Sequence, residues 1–103
     1  MKRSLLCLMI LGMLLGAPAL YGADGGEVFM DKCGSCHGSG GEAPAFAPTK
    51  YASVQWQRFF ERDKHARKKD ISDKLSASEI AAVSAYLMQH AADSEQPEAA
   101  GLR

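Results

Sequence analysis

Beyond its first two dozen residues, the 103-residue sequence has no long apolar run, no internal repeat and no second pair of closely spaced cysteines or histidines. The missing apolar run predicts a soluble chain after residue 23. The missing second pair argues against a structural zinc site, which needs four ligands and usually takes them as two pairs. Twelve acidic residues balance twelve basic ones, so the composition argues against nucleic-acid binding.

Residues 1–23 have the pattern of a secretory signal peptide. Lys2 and Arg3 provide the positive start, and the apolar stretch over 5–15 is too short for a membrane span. A small-residue motif at 17–19 fits the cleavage site, and cleavage a few residues later fits as well. We therefore predict export to the periplasm. An uncleaved signal that acts as a membrane anchor is the alternative.

Two cysteines three positions apart are followed at once by a histidine, in the motif Cys33-Gly34-Ser35-Cys36-His37. This is the attachment pattern of a c-type haem. On one helical turn both sulfurs point the same way, so each can add to one haem vinyl group, and His37 becomes the proximal iron ligand. A thioredoxin-like redox pair is disfavoured because no strand-like alternation precedes the motif. A simple disulfide is a further alternative.

The 80 residues that follow the signal are enough for one domain with a thin hydrophobic core. We predict this domain over 24–92 and a flexible tail over 93–103, which contains Pro97 and Gly101. A covalently attached haem would supply the additional cross-link that small domains usually need to be stable. Ten basic and twelve acidic residues remain in the mature chain, a net charge of −2. We expect a monomer.

The mature chain has the pattern of helices separated by one long loop. A first helix is predicted over 25–36 and ends at a run of glycines, and prolines make 42–50 a loop. A second helix with an aromatic face is predicted over 51–63. The last helix starts at Ser76, where Ser76 and Glu79 fit a capping box. Its apolar stripe consists of Ile80, Val83, Leu87 and Ala91.

Over roughly residues 25–90 the chain resembles the small class I cytochromes c. Gly25, Phe29 and Cys33 reproduce the spacing of that family's haem-bearing helix, and Ala85-Tyr86-Leu87 resembles part of its last helix. The resemblance implies an all-α, class I cytochrome c-like fold, with three to four helices around one covalently attached haem c. It also implies that the first and last helices cross at near right angles, with Val83 in the contact.

The resemblance further implies which residues surround the haem. In the family, a proline carbonyl that follows the haem motif accepts the N–H of the proximal histidine. Pro48 fits the family spacing better than Pro44. Leu87 would turn toward the haem. Tyr51 and Trp56 could reach a haem propionate, although Trp56 also fits a core position with its indole N–H satisfied.

The methionine that class I cytochromes place between the middle and last helices is missing, since there is none from Asp31 to Leu87. His65 is the leading replacement, because it lies after the aromatic helix and before the last one. An unbroken helix would place His65 opposite Trp56, so the second helix must end or bend before it. The alternatives are His90, Met88, a lysine, or an open or water-bound position.

Two functions follow from the two kinds of distal side. With His37 and His65 as axial ligands, the protein would be an electron carrier of low potential, because methionine ligation is the one that raises the potential. With an open or weakly ligated distal side, it would bind or sense a small gas. No residue cluster indicates catalysis, so we expect no enzyme.

Seven basic residues from Arg58 to Lys74 form either a solvated helix face or a surface for transient docking of acidic redox proteins.

Overall fold

Asp24 begins the first helical stretch, because its carboxylate accepts hydrogen bonds from two backbone N–H groups of the first turn, at 2.9 and 3.1 Å. The computed structural model describes residues 23–102. In it, α1 (Gly25–Val28) continues into a π-helical turn (Phe29–Cys33) and then into α2 (Gly34–His37). The predicted signal peptide lies outside the described residues, apart from its last residue.

The π-helical turn differs from the uninterrupted helix predicted over 25–36. Its closing hydrogen bond runs from the backbone N–H of Gly34 to the carbonyl of Phe29, one residue further than in an α-helix. A turn of this kind shifts the direction of every later side chain relative to the earlier ones. It therefore sets how the haem motif is oriented with respect to Phe29, whose ring is 1% exposed.

The middle of the chain forms two short helices, α3 (Ser53–Glu61) and α4 (Lys64–Lys68), preceded by a 3-10 turn (Pro48–Lys50). The helix predicted over 51–63 is thus two residues shorter at each end. Asp63 separates the two helices with a φ of +50°, a left-handed conformation that aspartate tolerates better than most residues. This break places His65 on its own helix, as the argument from helical periodicity requires.

The last helix, α5 (Ala77–Gln89), begins with the predicted capping box. The Ser76 hydroxyl accepts from the backbone N–H of Glu79 at 3.2 Å, and the Glu79 carboxylate accepts from the backbone N–H of Ser76 at 3.0 Å. The crossing with α1 needs glycine, since a Cβ on Gly25 would lie 2.3 Å from the carbonyl oxygen of Ala82. The rings of Phe29 and Tyr86 pack together there, with centres 5.5 Å apart.

Helices supply all the regular structure of residues 23–102, which confirms the predicted all-α class. None of these helices is long and apolar enough to cross a membrane. The core lies between α1, the π turn, α3 and α5. Its buried apolar side chains are Val28, Phe29, Trp56, Leu75, Val83, Leu87, Ala91 and Leu102.

The chain after α5 is packed, whereas the sequence predicts a flexible tail over 93–103. The Asp93 carboxylate accepts from the backbone N–H of Ser53 at 2.8 Å, and the backbone N–H of Glu98 donates to the His90 carbonyl at 3.0 Å. Leu102 is 4% exposed. Periodicity does not reveal this packing, because the segment uses backbone contacts and a single leucine. We call residues 91–102 the return segment.

Candidate functional site

The imidazole rings of His37 and His65 lie close together, with centres 6.3 Å apart and planes inclined by 76°. Each ring contacts a backbone carbonyl through Nδ1. His37 Nδ1 lies 2.6 Å from the Pro44 oxygen, and His65 Nδ1 lies 2.8 Å from the Lys69 oxygen. Since a carbonyl only accepts, both Nδ1 atoms carry the proton and donate it. Both Nε2 atoms are therefore the ones free to bind a metal.

The separation of the two rings matches the spacing required by one shared metal atom. A bond from a transition metal to an imidazole nitrogen is about 2 Å long. The centre of a five-membered ring with bonds of about 1.33 Å lies about 1.1 Å from each ring atom. Two such ligands on opposite sides of one atom place their ring centres about 6.2 Å apart. The structure thus brings His37 and His65 to the spacing of two axial ligands.

The two cysteines of the motif are free thiols and are half-buried beside His37. Burial raises the pKa of the Cys33 thiol to about 11, so this thiol keeps its proton at neutral pH. Net addition of an S–H group across a vinyl double bond uses both the sulfur and that proton. Cys36 Sγ lies 3.7 Å from a Glu42 carboxylate oxygen and 3.8 Å from Lys74 Nζ.

Apolar side chains lie next to both histidines. On the His37 side, the Phe46 ring stands edge-on to the imidazole, with centres 4.9 Å apart and planes at 83°. On the His65 side there is a cavity of about 320 Å³. Its lining is partly apolar and partly polar. The larger apolar residues are Phe59, Phe60, Ile71, Leu75 and Ile80, and the polar ones besides His65 are Asp63, Asp70, Ser72 and Ser76. Apolar side chains therefore lie beside both imidazoles, and the cavity itself is lined by His65 but not by His37, Cys33 or Cys36.

A family model described as cytochrome c oxidase, cbb3-type, subunit III matches residues 22–87, which is more than half of the chain. The chain belongs to this family. It is a c-type cytochrome, and its cofactor is a covalently bound haem c with iron. Neither a search of curated proteins nor a search of solved structures returns a match.

The residues of this cytochrome fit that cofactor. A covalently attached haem needs two thiols, iron-binding nitrogens and apolar neighbours. The chain offers Cys33 and Cys36, the two free Nε2 atoms, and the apolar side chains beside the two histidines. Phe46 belongs to this set although the sequence analysis does not identify it. The only signal is that one aromatic residue stands between Pro44 and Pro48 in a loop otherwise made of small and polar residues.

The structure corrects the predicted acceptor of the proximal N–H from Pro48 to Pro44. The carbonyl of Pro48 instead accepts the indole N–H of Trp56 at 2.8 Å. The chain turns back at once after the haem motif, where the backbone N–H of Ala43 donates to the Cys36 carbonyl at 2.9 Å. Because of this tight turn, a proline only seven positions after His37 already reaches the imidazole.

The other residues predicted to surround the haem are close to one another. Trp56 is a core residue, and its N–H is engaged by Pro48 rather than free for a propionate. Tyr51 packs on Trp56, with ring centres 4.8 Å apart, and Leu87 is 1% exposed. Contact of Pro48, Tyr51 and Leu87 with the haem stays a prediction.

His90 and Met88, the alternative distal ligands on the last helix, have other surroundings. His90 Nδ1 lies 2.8 Å from the Gln96 carbonyl oxygen, and its ring packs on Tyr86, with centres 4.6 Å apart. Met88 is half-buried against the hydrophobic core. His65 is the candidate whose ring lies beside that of His37, with centres 6.3 Å apart.

An ion pair between Glu42 and Lys69 connects the two sides of the site. Hydrogen bonding and the charge of Lys69 lower the pKa of the Glu42 carboxyl, and Glu42 raises the pKa of Lys69 in turn. Glu42 precedes Pro44 by two positions, and the carbonyl of Lys69 itself accepts from His65. The pair thus links the loop that orients His37 to the turn that orients His65.

Proposed function

We propose that this protein is an electron carrier in which Cys33 and Cys36 attach one haem c, and His37 and His65 are the axial ligands of its iron. The observation that carries the proposal is the 6.3 Å separation of the two imidazole rings. The carbonyl contacts at both Nδ1 atoms support it, because they leave the two Nε2 atoms available.

In this proposal, the residues around the cofactor hold it in one arrangement through a redox cycle. The haem supplies a one-electron couple between ferric and ferrous iron. The carbonyls of Pro44 and Lys69 fix the orientation of the two imidazoles and increase their donor strength. A second imidazole in the place of methionine favours a low reduction potential. Two strong ligands that stay bound in both states keep the structural change on reduction small.

Export to the periplasm and a monomeric state are also part of the proposal. The charged start and apolar stretch of residues 1–23 support secretion, and attachment of a c-type haem takes place outside the cytoplasm. We do not propose catalysis. In this proposal His65 binds the iron on its distal side, and no acid–base pair is placed there.

An optical spectrum of the reduced holoprotein tests the proposed ligand pair. We expect a low-spin ferrous spectrum that carbon monoxide leaves unchanged. In the ferric form, the 76° angle between the ring planes should give a strongly anisotropic electron paramagnetic resonance signal. Two nearly perpendicular imidazoles affect two iron d orbitals alike and leave them close in energy. A high-spin ferrous form that binds carbon monoxide at once would instead support gas binding or sensing.

The basic residues around His65 offer a docking surface for an acidic redox partner. Lys64, Arg67 and Lys68 are exposed on α4, and none of them forms an ion pair within residues 23–102. His65 lies between them on the same short helix, and Asp63 and Asp70 flank that helix in the sequence. A surface of one sign accelerates the encounter with an oppositely charged partner. Docking by charge alone is weak and short-lived.

The rate of oxidation by ferricyanide, an anionic electron acceptor, measures this surface. Replacing Lys64 and Lys68 together by glutamine should slow the second-order reaction about fivefold at low ionic strength. The difference should shrink as salt screens the charges. A double Lys32→Gln, Lys50→Gln variant removes the same charge from exposed residues elsewhere. An equal loss of rate in that control would show that only net charge matters.

A further inference from the structure

The return segment passes directly over the loop that orients His37. The backbone N–H of Leu102 donates to the Phe46 carbonyl at 3.1 Å. A Cβ on Gly101 would lie 2.7 Å from that carbonyl oxygen and 2.9 Å from its carbon, so only glycine allows this approach. The two backbones are in direct contact at this point.

Leu102 also reaches the haem motif itself. Its Cδ2 atom lies 3.5 Å from the position that a Cβ on Gly34 would occupy, and its side chain is 4% exposed. Gly34 stands between the two cysteines of the motif. Leu102 therefore fills the space between the haem motif on one side and the loop that carries Phe46 on the other.

The loop over residues 44–47 has few other backbone attachments, and the Phe46 ring packs on Phe29 and Trp56 as well as on His37. Pro44 has no backbone N–H, and the Ala47 carbonyl is used locally by Lys50. Among the described residues, the bond between Phe46 and Leu102 is the only backbone–backbone hydrogen bond from this loop to a distant segment. The position of the loop consequently depends on the return segment and on the packing of the Phe46 ring.

We propose that Gly101 and Leu102 are positioning residues that act on the proximal ligand through this loop. They hold Phe46 against the His37 ring and thereby hold the Pro44 carbonyl at His37 Nδ1, where the structure has it. A firm hydrogen bond at Nδ1 makes the imidazole a stronger donor to the iron. The return segment thus stabilises the ferric state and lowers the reduction potential. The inference rests on the proposed function in one respect, that His37 binds the haem iron.

The proposed effect of Gly101 and Leu102 on His37 can be tested by NMR of the reduced holoprotein. The measured quantity is the rate at which the His37 Nδ1 proton exchanges with solvent. Leu102→Ala should accelerate the exchange about tenfold, because the loop opens more often, and should raise the reduction potential. Gly101→Ala should do the same while it keeps the leucine side chain. Leu102→Met, which refills the space, should restore both the exchange rate and the potential.

Val83→Ala is the matched control, because Val83 is a fully buried core residue on α5 and lies far from this loop in the sequence. It should lower the melting temperature without changing the exchange rate or the potential. If Leu102→Ala and Gly101→Ala leave both quantities at wild-type values, or if Val83→Ala shifts them equally, the return segment has no specific role. The readout is independent of the distal side. Should that side prove open, carbon monoxide makes the reduced protein diamagnetic, and the same proton is measured.

Discussion

Replacing His65 by alanine is expected to convert a low-spin ferrous haem that does not bind carbon monoxide into a high-spin haem that does. The reason is geometric, because His65 is the candidate ligand whose ring centre lies 6.3 Å from that of His37. No methionine lies between Asp31 and Leu87 to replace it. Loss of a strong donor also destabilises ferric iron, so the reduction potential should rise. Optical spectroscopy with and without carbon monoxide, and a redox titration, measure the two effects.

The rise in potential should be about 0.1 V, a modest part of the ~0.8 V range that axial ligands span. For one electron this corresponds to about 2.3 kcal/mol. His65→Met should restore the low-spin state at a higher potential than that of wild type, since methionine ligation raises it. His90→Ala is the matched control, because the His90 ring contacts Tyr86 and the Gln96 carbonyl instead. A His65→Ala protein that stays low-spin would show that another group is the distal ligand.

Replacing both Cys33 and Cys36 by alanine is expected to remove covalent haem and, with it, cooperative folding. The described chain buries only eight apolar side chains in its core. Domains of this size rarely stay folded without an additional covalent or metal cross-link. Without thioethers, the haem would be held only by the iron–histidine bonds and by apolar contact. We expect no haem band on a denaturing gel and no cooperative thermal transition in circular dichroism.

Each single cysteine variant should keep part of its haem through the remaining thioether and unfold at a lower temperature than wild type. Cys7→Ala provides the control, since Cys7 lies in the predicted signal peptide and its loss should change neither haem content nor stability. A double variant that folds cooperatively without haem would show that the protein core alone is sufficient for stability.

Local sequence patterns predicted much of the fold because their physics is local. The capping box at Ser76 begins α5 in the structure as predicted. The helical pattern agrees with the all-α class, and the close contact at Gly25 agrees with what the resemblance to class I cytochromes c implies. The π-helical turn over Phe29–Cys33 is not predicted, because no residue type marks such a turn.

The residues of the candidate site likewise fall into those that the local sequence predicts and those that only the fold brings together. The haem motif is contiguous, so Cys33, Cys36 and His37 can be recognised without a fold. The carbonyl that accepts the His37 N–H cannot be recognised in this way, because the choice between Pro44 and Pro48 depends on how sharply the chain turns after the motif. Phe46 and Leu102 were missed for a related reason, since their contacts join segments that are distant in the sequence.

The sequence by itself determined the cofactor type, through one short motif, and the helical class, through periodicity and caps. It also showed that the usual methionine is missing. Our proposal that His65 stands in that place rests on the tertiary structure. A break at Asp63 and a separate α4 bring the centre of the His65 ring to 6.3 Å from that of His37. The distance between two residues 28 positions apart depends on every turn between them, and no local pattern carries that information.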